Sequence, residues 1–400
     1  MTIALLTNII SPHRIPLSEE LVSLVGSTNY RYYYTDDFHS ERANMGWGAG
    51  IGPDWCVPFR ADGNAVENVE LLISGHRDWE LLQTRASRRL FSIYASERWF
   101  KPKMGSLRLL DPRYFKMAMQ FVRMLANSDY VYYFPQGIHA ARDMARLCGL
   151  AHGDWRCLFR APKLDFERRP TGRIWLQDGG DYKKYCLHKM RMWGYFVEAC
   201  RQSSVVSHQC QSQLATNHYP LTTIKVLWVG RFLNWKRVDT IIRAVGELSK
   251  SHSPTPHSST PPLPHSQLTL DLYGTGPEEK RLKKLAAKYG DVIKFYPPVP
   301  ISDVRKLMRE HDVYVLSSNA YEGWGAVVSE ALEEGMNVIG TYEAGSSATI
   351  LPAANLFHAG DWHTLKCLIE RYPPQVNIGK WSSKSAANEL IAFYKTIKKG

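Results

Sequence analysis

The sequence predicts an α/β protein built from two Rossmann-like domains, each a parallel sheet covered by helices. Two observations carry that expectation. At 400 residues the chain is longer than one hydrophobic core commonly serves. From about residue 224 onward, short β-branched or apolar runs alternate with loops and helical patterns, the rhythm of parallel βαβ units, and the N-terminal half repeats it less cleanly.

In the N-terminal half, apolar and β-branched runs place strands at Ile3–Thr7, Tyr30–Tyr34, 69–74, 90–95 and 130–134. Helical spacing of apolar residues fills the intervals at about 14–24, 78–88, 114–126 and 138–147. The linker is expected within 200–221, after the aromatic run Trp193-Gly194-Tyr195-Phe196, giving domains at 1–205 and 206–400. In the second domain strands are expected at 225–229, 268–272, 292–295, Val313–Leu316 and 337–339. Helices follow at 238–248, 278–288 and 326–333, with a last one at Ser383–Ile397. The stretch 251–265, dominated by Ser, Thr, Pro and His, cannot build a core and reads as a surface excursion rather than a metal tract.

Composition narrows the function. No run approaches the roughly 20 apolar residues of a membrane-spanning helix. The apolar start Ile3-Ala4-Leu5-Leu6 lacks a basic leader and reads as a first strand, so the chain is expected in the cytoplasm. The seven cysteines are odd in number and form no C-x-x-C, against a disulfide framework or a zinc site; they are expected reduced and mostly in the core. A net charge of +12 favours an anionic partner, either a phosphate-bearing substrate or an anionic membrane surface. The scattered aromatics place nucleic acid last.

The strongest constellation is Tyr321-Glu322-Gly323-Trp324-Gly325-Ala326-Val327-Val328-Ser329-Glu330, between a strand and a helix. Gly323 and Gly325 let the backbone approach a ligand, and free N–H groups at the start of the helix favour a diphosphate. Glu330 can reach a ribose diol and Glu322 a sugar. The plainer reading is that a glutamate near a helix start only caps it; a position at the C-terminal end of a parallel strand weighs against that. A second loop, Val229-Gly230-Arg231-Phe232-Leu233-Asn234-Trp235-Lys236, follows the first strand of the same domain. Its two cations suit a departing nucleoside diphosphate.

Gly230-Arg231-x-x-x-x-Lys236, the turn Gly274-Thr275-Gly276-Pro277 and Glu322-x7-Glu330, in this order, resemble the GT-B glycosyltransferase family 4. The resemblance covers about 224–360. It implies two Rossmann-like domains facing a central cleft, with the last helix crossing back to the N-domain, and a retaining, metal-independent transferase using a UDP- or GDP-sugar without a cofactor. Arg231 and Lys236 would hold the donor diphosphate, Glu322 the sugar and Glu330 the ribose. Gly230, Gly274, Gly323, Trp324, Gly325 and Val328 would line the donor, with Phe295 and Tyr296 near the base and Gly345 and Ser346 near sugar or phosphates. A glycan or lipid-linked acceptor in polysaccharide or glycoconjugate synthesis would complete the reaction. The chain has no Asp-x-Asp, no complete G-x-G-x-x-G and no Walker A lysine. It departs from the family at Asn8-Ile9-Ile10-Ser11-Pro12-His13, where a Gly-Gly turn is common, at Pro297-Pro298 and at Trp324.

Acceptor candidates come from strand ends of the N-domain: His13, Arg14 and Glu97, with His76 as a proton acceptor or as a loop histidine without chemistry. The cation- and aromatic-rich stretch from Arg98 to Arg123 faces either an anionic membrane or lipid-diphosphate acceptor, or plain solvent. A sugar-nucleotide epimerase, a phosphorylase-like enzyme and a non-catalytic nucleotide-sugar sensor remain as alternatives.

Overall fold

The computed structural model describes residues 1–36, 52–59, 63–101, 104–196, 223–251, 267–376 and 381–399. Residues 200–221 and 252–265, with Cys200 and Cys210, lie outside them. The chain divides into two compact units, one of Met1–Glu198 with Gly379–Gly400 and the other of Ala199–Ile378.

The first unit holds β1 (Ile3–Thr7), α1 (Ile15–Val25), β2 (Tyr30–Tyr34), β3 (Cys56–Pro58), α2 (Gly63–Asn68), β4 (Leu71–Ser74), α3 (Trp79–Ser87), β5 (Phe91–Ser96), α4 (Pro112–Asn127), β6 (Val131–Pro135) and α5 (Ile138–Ala151). Six strands pair in parallel in the order β3-β2-β1-β4-β5-β6, with Ile3 opposite both Tyr30 and Leu71. Every residue of β1, β4 and β6 is buried, so these strands read as continuous apolar runs rather than alternating ones. The helix side of the sheet is aromatic: Trp79 stacks on Phe121 at 4.8 Å and meets Tyr94 edge-on at 5.0 Å. Arg85, fully buried on α3, donates to Ser92 Oγ at 2.9 Å, Val66 O at 2.7 Å, and Val69 O and Phe91 O at 2.9 and 2.8 Å. It ties α2, α3 and β5 together as a polar core rivet. A short antiparallel pair, β7 (Leu164–Phe166) and β8 (Ile174–Leu176), follows.

The second unit repeats the plan with β9 (Thr223–Val229), α6 (Val238–Ser251), β10 (Gln267–Tyr273), α7 (Glu279–Ala286), β11 (Ile293–Tyr296), α8 (Ile301–Arg309), β12 (Val313–Leu316), α9 (Val327–Glu333), β13 (Asn337–Thr341), α10 (Gly345–Ile350), β14 (Leu356–Phe357) and α11 (Trp362–Glu370). Its parallel strand order is β11-β10-β9-β12-β13-β14, the same as in the first unit. In both sheets the order reverses beside the first strand, between β1 and β4 and between β9 and β12. That reversal opens a crevice beyond the carboxyl ends of the strands, where doubly wound sheets bind ligands.

The expected elements are present, with their ends shifted by a few residues. The helix expected at 278–288 stops at Ala286 and tightens into a 3-10 turn, Ala287–Val292, in which Gly290 takes φ +68°. The short α2, β3, β7, β8, α10 and β14, and the helices α8 and α11, carried no expectation. Gly345-Ser346-Ser347-Ala348-Thr349-Ile350 has little helical propensity, and burial against β13 imposes the conformation.

The last helix, α12 (Ser383–Ile397), belongs to the first unit. Its Phe393 meets Tyr132 and Phe134 at 5.2 and 5.3 Å, and Glu389 receives Arg169 at 2.6 Å. Glu70 accepts from Lys398 at 2.7 Å, from Thr2 N at 3.0 Å and from Tyr394 at 3.3 Å, and lies 3.4 Å from the amino terminus. The Lys398 hydrogen bond, chiefly, holds the Glu70 carboxyl down to about 2. A depressed carboxylate contributes stability above its ordinary pKa and loses it as the proton binds. Wild-type unit 1 should therefore lose Tm between about pH 4.5 and 2 more steeply than Glu70→Gln. The difference should be modest because Glu70 is a third exposed. Parallel melting curves by circular dichroism over that range would mean Glu70 does not tether α12.

Candidate functional site

The C-terminal unit assembles its site from the loops after β9, β10, β12 and β13. The loops after β9 and β10 are pressed together. Phe232 N donates to Thr275 O at 2.9 Å, and Glu278 N to Phe232 O at 3.0 Å. A β-carbon on Gly274 would meet the Gly230 carbonyl oxygen at 1.8 Å, and one on Gly276 would meet Phe232 O at 2.6 Å. Glycine in the Gly-Thr-Gly-Pro turn is thus required by the close approach of two backbones. The contact fixes where Arg231 emerges, exposed, while Phe232 is buried against Trp228 at 5.3 Å.

Further along the loop, Asn234–Lys236 forms a 3-10 turn and Arg237, at φ +48°, reverses the chain into α6. Lys236 Nζ lies 2.5 Å from Glu322 Oε2 and 4.5 Å from the Trp235 ring. Glu322 is buried. Ser318 Oγ donates to the same Glu322 oxygen at 2.8 Å, and Ser317 Oγ donates to the Lys236 carbonyl at 2.6 Å. Thr341 Oγ1, at the end of β13, donates to Ser318 O at 2.5 Å. Asn319 N donates to Trp235 O at 2.9 Å and Glu322 N to Asn319 O at 3.0 Å. Residues 86 positions apart in sequence are held together by hydroxyls at neighbouring strand ends. Burial, with the Glu322 charge adding to it, pushes the Tyr314 phenol on β12 well above its usual range, so it stays neutral beside the pair.

The 323–325 turn is gripped by α10. Ser346 N donates to Trp324 O at 2.8 Å and Ser346 Oγ to Gly325 O at 2.9 Å. Gly325, at φ +85°, would bring a β-carbon 3.3 Å from Glu322 Cγ and 3.2 Å from Ser346 Oγ. Trp324 and Val328 are fully buried, so their side chains belong to the core and only their backbones line the turn. Glu330 sits half-buried in the first turn of α9, in the field of Arg305. At seven residues α9 is short, and its N-terminus offers a correspondingly small dipole.

Lys236, Glu322, Gly323, Gly325, Gly345 and Ser346 converge. Phe295 and Tyr296 do not join them: Phe295 packs on Phe232 at 5.8 Å and Tyr296 stacks on Tyr273 at 4.6 Å, flanking the Gly230 and Gly274 loops. Ser317, Ser318 and Thr341 escaped the sequence reading, although two hydroxyls directly after a buried strand stand where parallel sheets place ligand contacts.

In the N-terminal unit, His13 and Arg14 gather round Tyr195, with ring centroids 5.8 Å apart for His13 and the guanidinium carbon 4.7 Å from the ring for Arg14. Burial, and next the Glu97 charge, pushes the Tyr195 phenol up to about 12. Glu97 pairs with Lys101 at 3.6 Å. His76 is held locally: its N–H donates to Ser74 Oγ at 3.1 Å, and Ser74 Oγ donates to its carbonyl at 2.9 Å.

Residues 213–373 match the family model described as glycosyl transferases group 1. The whole chain superposes on the structure of Anabaena HepE in complex with UDP, with TM-score 0.54 and 13% identity, covering 100% of this chain and 98% of that one. It likewise superposes on the apo form of the lipopolysaccharide outer core galactosyltransferase WaaB, with TM-score 0.57 and 11% identity, over 99% and 100% of the two chains. The fold is GT-B. A further relative is an uncharacterized glycosyltransferase of Methanocaldococcus jannaschii, 26% identical over 133 residues. That alignment takes in 33% of this chain and spans 31% of the relative. The family match lies on the GT-B unit carrying Lys236 and Glu322, and it supports glycosyl transfer as the chemistry.

The grip of α10 on the GT-B turn is testable. A β-carbon on Gly345 would meet Gly323 O at 2.3 Å. Gly345→Ala should destabilise the C-terminal unit by about 1–3 kcal/mol in denaturant titration. A loss below about 0.5 kcal/mol would mean that the two loops are not in contact.

Proposed function

We propose that the protein is a retaining, metal-independent glycosyltransferase. It would move a sugar from a UDP- or GDP-sugar to a glycan or lipid-linked acceptor in the cytoplasm, in polysaccharide or glycoconjugate synthesis. The observation that supports this reading is the Lys236–Glu322 contact, because it brings a cation suited to phosphate and a carboxylate suited to sugar hydroxyls side by side at two strand ends of one sheet. The presence of UDP in the Anabaena structure supports a nucleotide-sugar donor.

In this reading Arg231 and Lys236 neutralise the leaving diphosphate, Glu322 accepts from sugar hydroxyls and Glu330 from the ribose. Backbone groups of Gly323, Gly325 and Ser346 surround the phosphates and sugar. The anomeric carbon–oxygen bond to the diphosphate breaks as the acceptor oxygen bonds the same face. The acceptor proton passes to the departing diphosphate, so no cofactor is required. Catalysis then rests on positioning and on charge fixed in advance. His13, Arg14 and Glu97 are the proposed acceptor contacts, with His76 as a second proton acceptor.

The test is a screen of UDP- and GDP-sugars with and without lipid-linked or soluble acceptors. Wild type should release nucleoside diphosphate only when an acceptor is present, and Glu322→Ala and Lys236→Ala should lower the rate on the order of 10² to 10³-fold. Donor consumption without an acceptor would favour an epimerase, and donor bound but never consumed would favour a sensor. Absence of donor binding would overturn the reading of the whole C-terminal site.

A further inference from the structure

Of the hydroxyls gathered at the strand ends of the C-terminal unit, one bears on how a ligand is read. Ser318 follows β12 and is fully buried, so its side chain cannot touch a donor and acts only through a neighbour. That neighbour is Glu322, whose Oε2 receives the Ser318 hydroxyl at 2.8 Å. The Ser318 peptide is itself fixed from β13, where Thr341 Oγ1 donates to its carbonyl. Ser317 is as deeply buried, but its hydroxyl donates to the Lys236 carbonyl and so braces backbone.

The two carboxylate oxygens of Glu322 are used unequally. Lys236 Nζ and Ser318 Oγ both meet Oε2, and Oε1 has no hydrogen-bond partner among the described residues. Oε1 also keeps contact with solvent, within the 11% of the side chain that is exposed. A carboxylate pinned through one oxygen presents the other along a set direction. Glu322 thus offers a ligand a single acceptor atom whose aim depends on what holds Oε2.

Lys236 cannot keep that aim in a loaded site, because in the proposed reaction its ammonium turns to the diphosphate. Ser318 is then the hydrogen-bond donor that remains on Oε2. Tyr314, the phenol nearest in sequence on β12, donates to Val229 O at 3.4 Å and does not replace it.

We propose that Ser318 is a positioning residue that determines sugar specificity: by holding Oε2 of Glu322 it aims Oε1 at one hydroxyl of the donor sugar and selects the configuration of the carbon bearing it. The inference rests on the glycosyl-transfer reading in one respect, that the ligand is a nucleotide sugar. Epimers offer a given hydroxyl either near the mean plane of the ring or across it. A carboxylate that cannot turn accepts from one of these, and the wrong epimer leaves an acceptor and a hydroxyl unpaired in a site removed from water. Without the Ser318 hydroxyl the carboxylate pivots, and the distinction narrows.

The experiment is calorimetric binding, with no acceptor present, of UDP, UDP-glucose and UDP-galactose, and of GDP, GDP-glucose and GDP-mannose, to wild type, Ser318→Ala and Ser317→Ala. Wild type should favour one epimer of a pair by about tenfold or more. Ser318→Ala should narrow that preference about fivefold, the worth of one hydrogen bond, while the bare nucleotide binds within about twofold of wild type. Ser317→Ala should leave the preference as it is, whatever it does to affinity. A preference unchanged in Ser318→Ala, or narrowed equally in Ser317→Ala, would overturn the inference, as would a wild type indifferent to both pairs. A chain that behaves as expected here yet transfers no sugar would defeat the transferase reading alone, and one that transfers sugar with the preference intact in Ser318→Ala would defeat this inference alone.

Discussion

The C-terminal site depends on one ion pair. Lys236 and Glu322 are both largely removed from water, and charges so placed are tolerated only with a partner and further hydrogen bonds. The carboxylate has both, from Lys236 Nζ and Ser318 Oγ on the same oxygen. Everything around the pair serves its geometry. Adjacent parallel strands β9 and β12 set the two loops side by side, and Ser317 bonds the Lys236 carbonyl while Thr341 steadies the Ser318 peptide. In the proposed enzyme the pair is exchanged for contacts to the donor. A donor offers each partner a replacement, phosphate oxygens for Lys236 and sugar hydroxyls for Glu322, so the desolvation already met in folding need not be met again on binding.

Backbone contact holds the rest of the unit to that pair. Gly274 and Gly276 press the β10 loop onto the β9 loop, and Gly345 presses α10 onto the 323–325 turn. None of these contacts involves a side chain that could touch a ligand. They explain why glycines stand at these three loop positions: close approach of backbones keeps the charged side chains at fixed distance from the sheet.

Much of this was legible in the sequence, for physical reasons. Strands buried on both faces appear as unbroken apolar runs, so β1, β12 and Ser383–Ile397 with its helical spacing could be placed closely. The charged loop residues could be named because two cations and two carboxylates stood after such runs. What escaped has no pattern to reveal it. Ser317, Ser318 and Thr341 are ordinary hydroxyls until strand order makes β12 and β13 neighbours. Arg85 carries no mark in the sequence that four backbone and hydroxyl acceptors draw it into the core. Trp324 and Val328 read as site residues, whereas their side chains complete the core.

The central claim, that donor and ion pair exchange partners, is tested most directly by calorimetric binding of UDP and GDP to wild type, Lys236→Ala, Glu322→Gln and the double variant. The account predicts that Lys236→Ala weakens the nucleotide that binds, and that Glu322→Gln tightens its affinity by releasing Lys236. With Lys236 absent, Glu322→Gln should change nothing, so the cycle closes with a coupling above about 0.5 kcal/mol. Additive losses from the two single variants would contradict it, because they would mean that Lys236 and Glu322 act on the nucleotide independently.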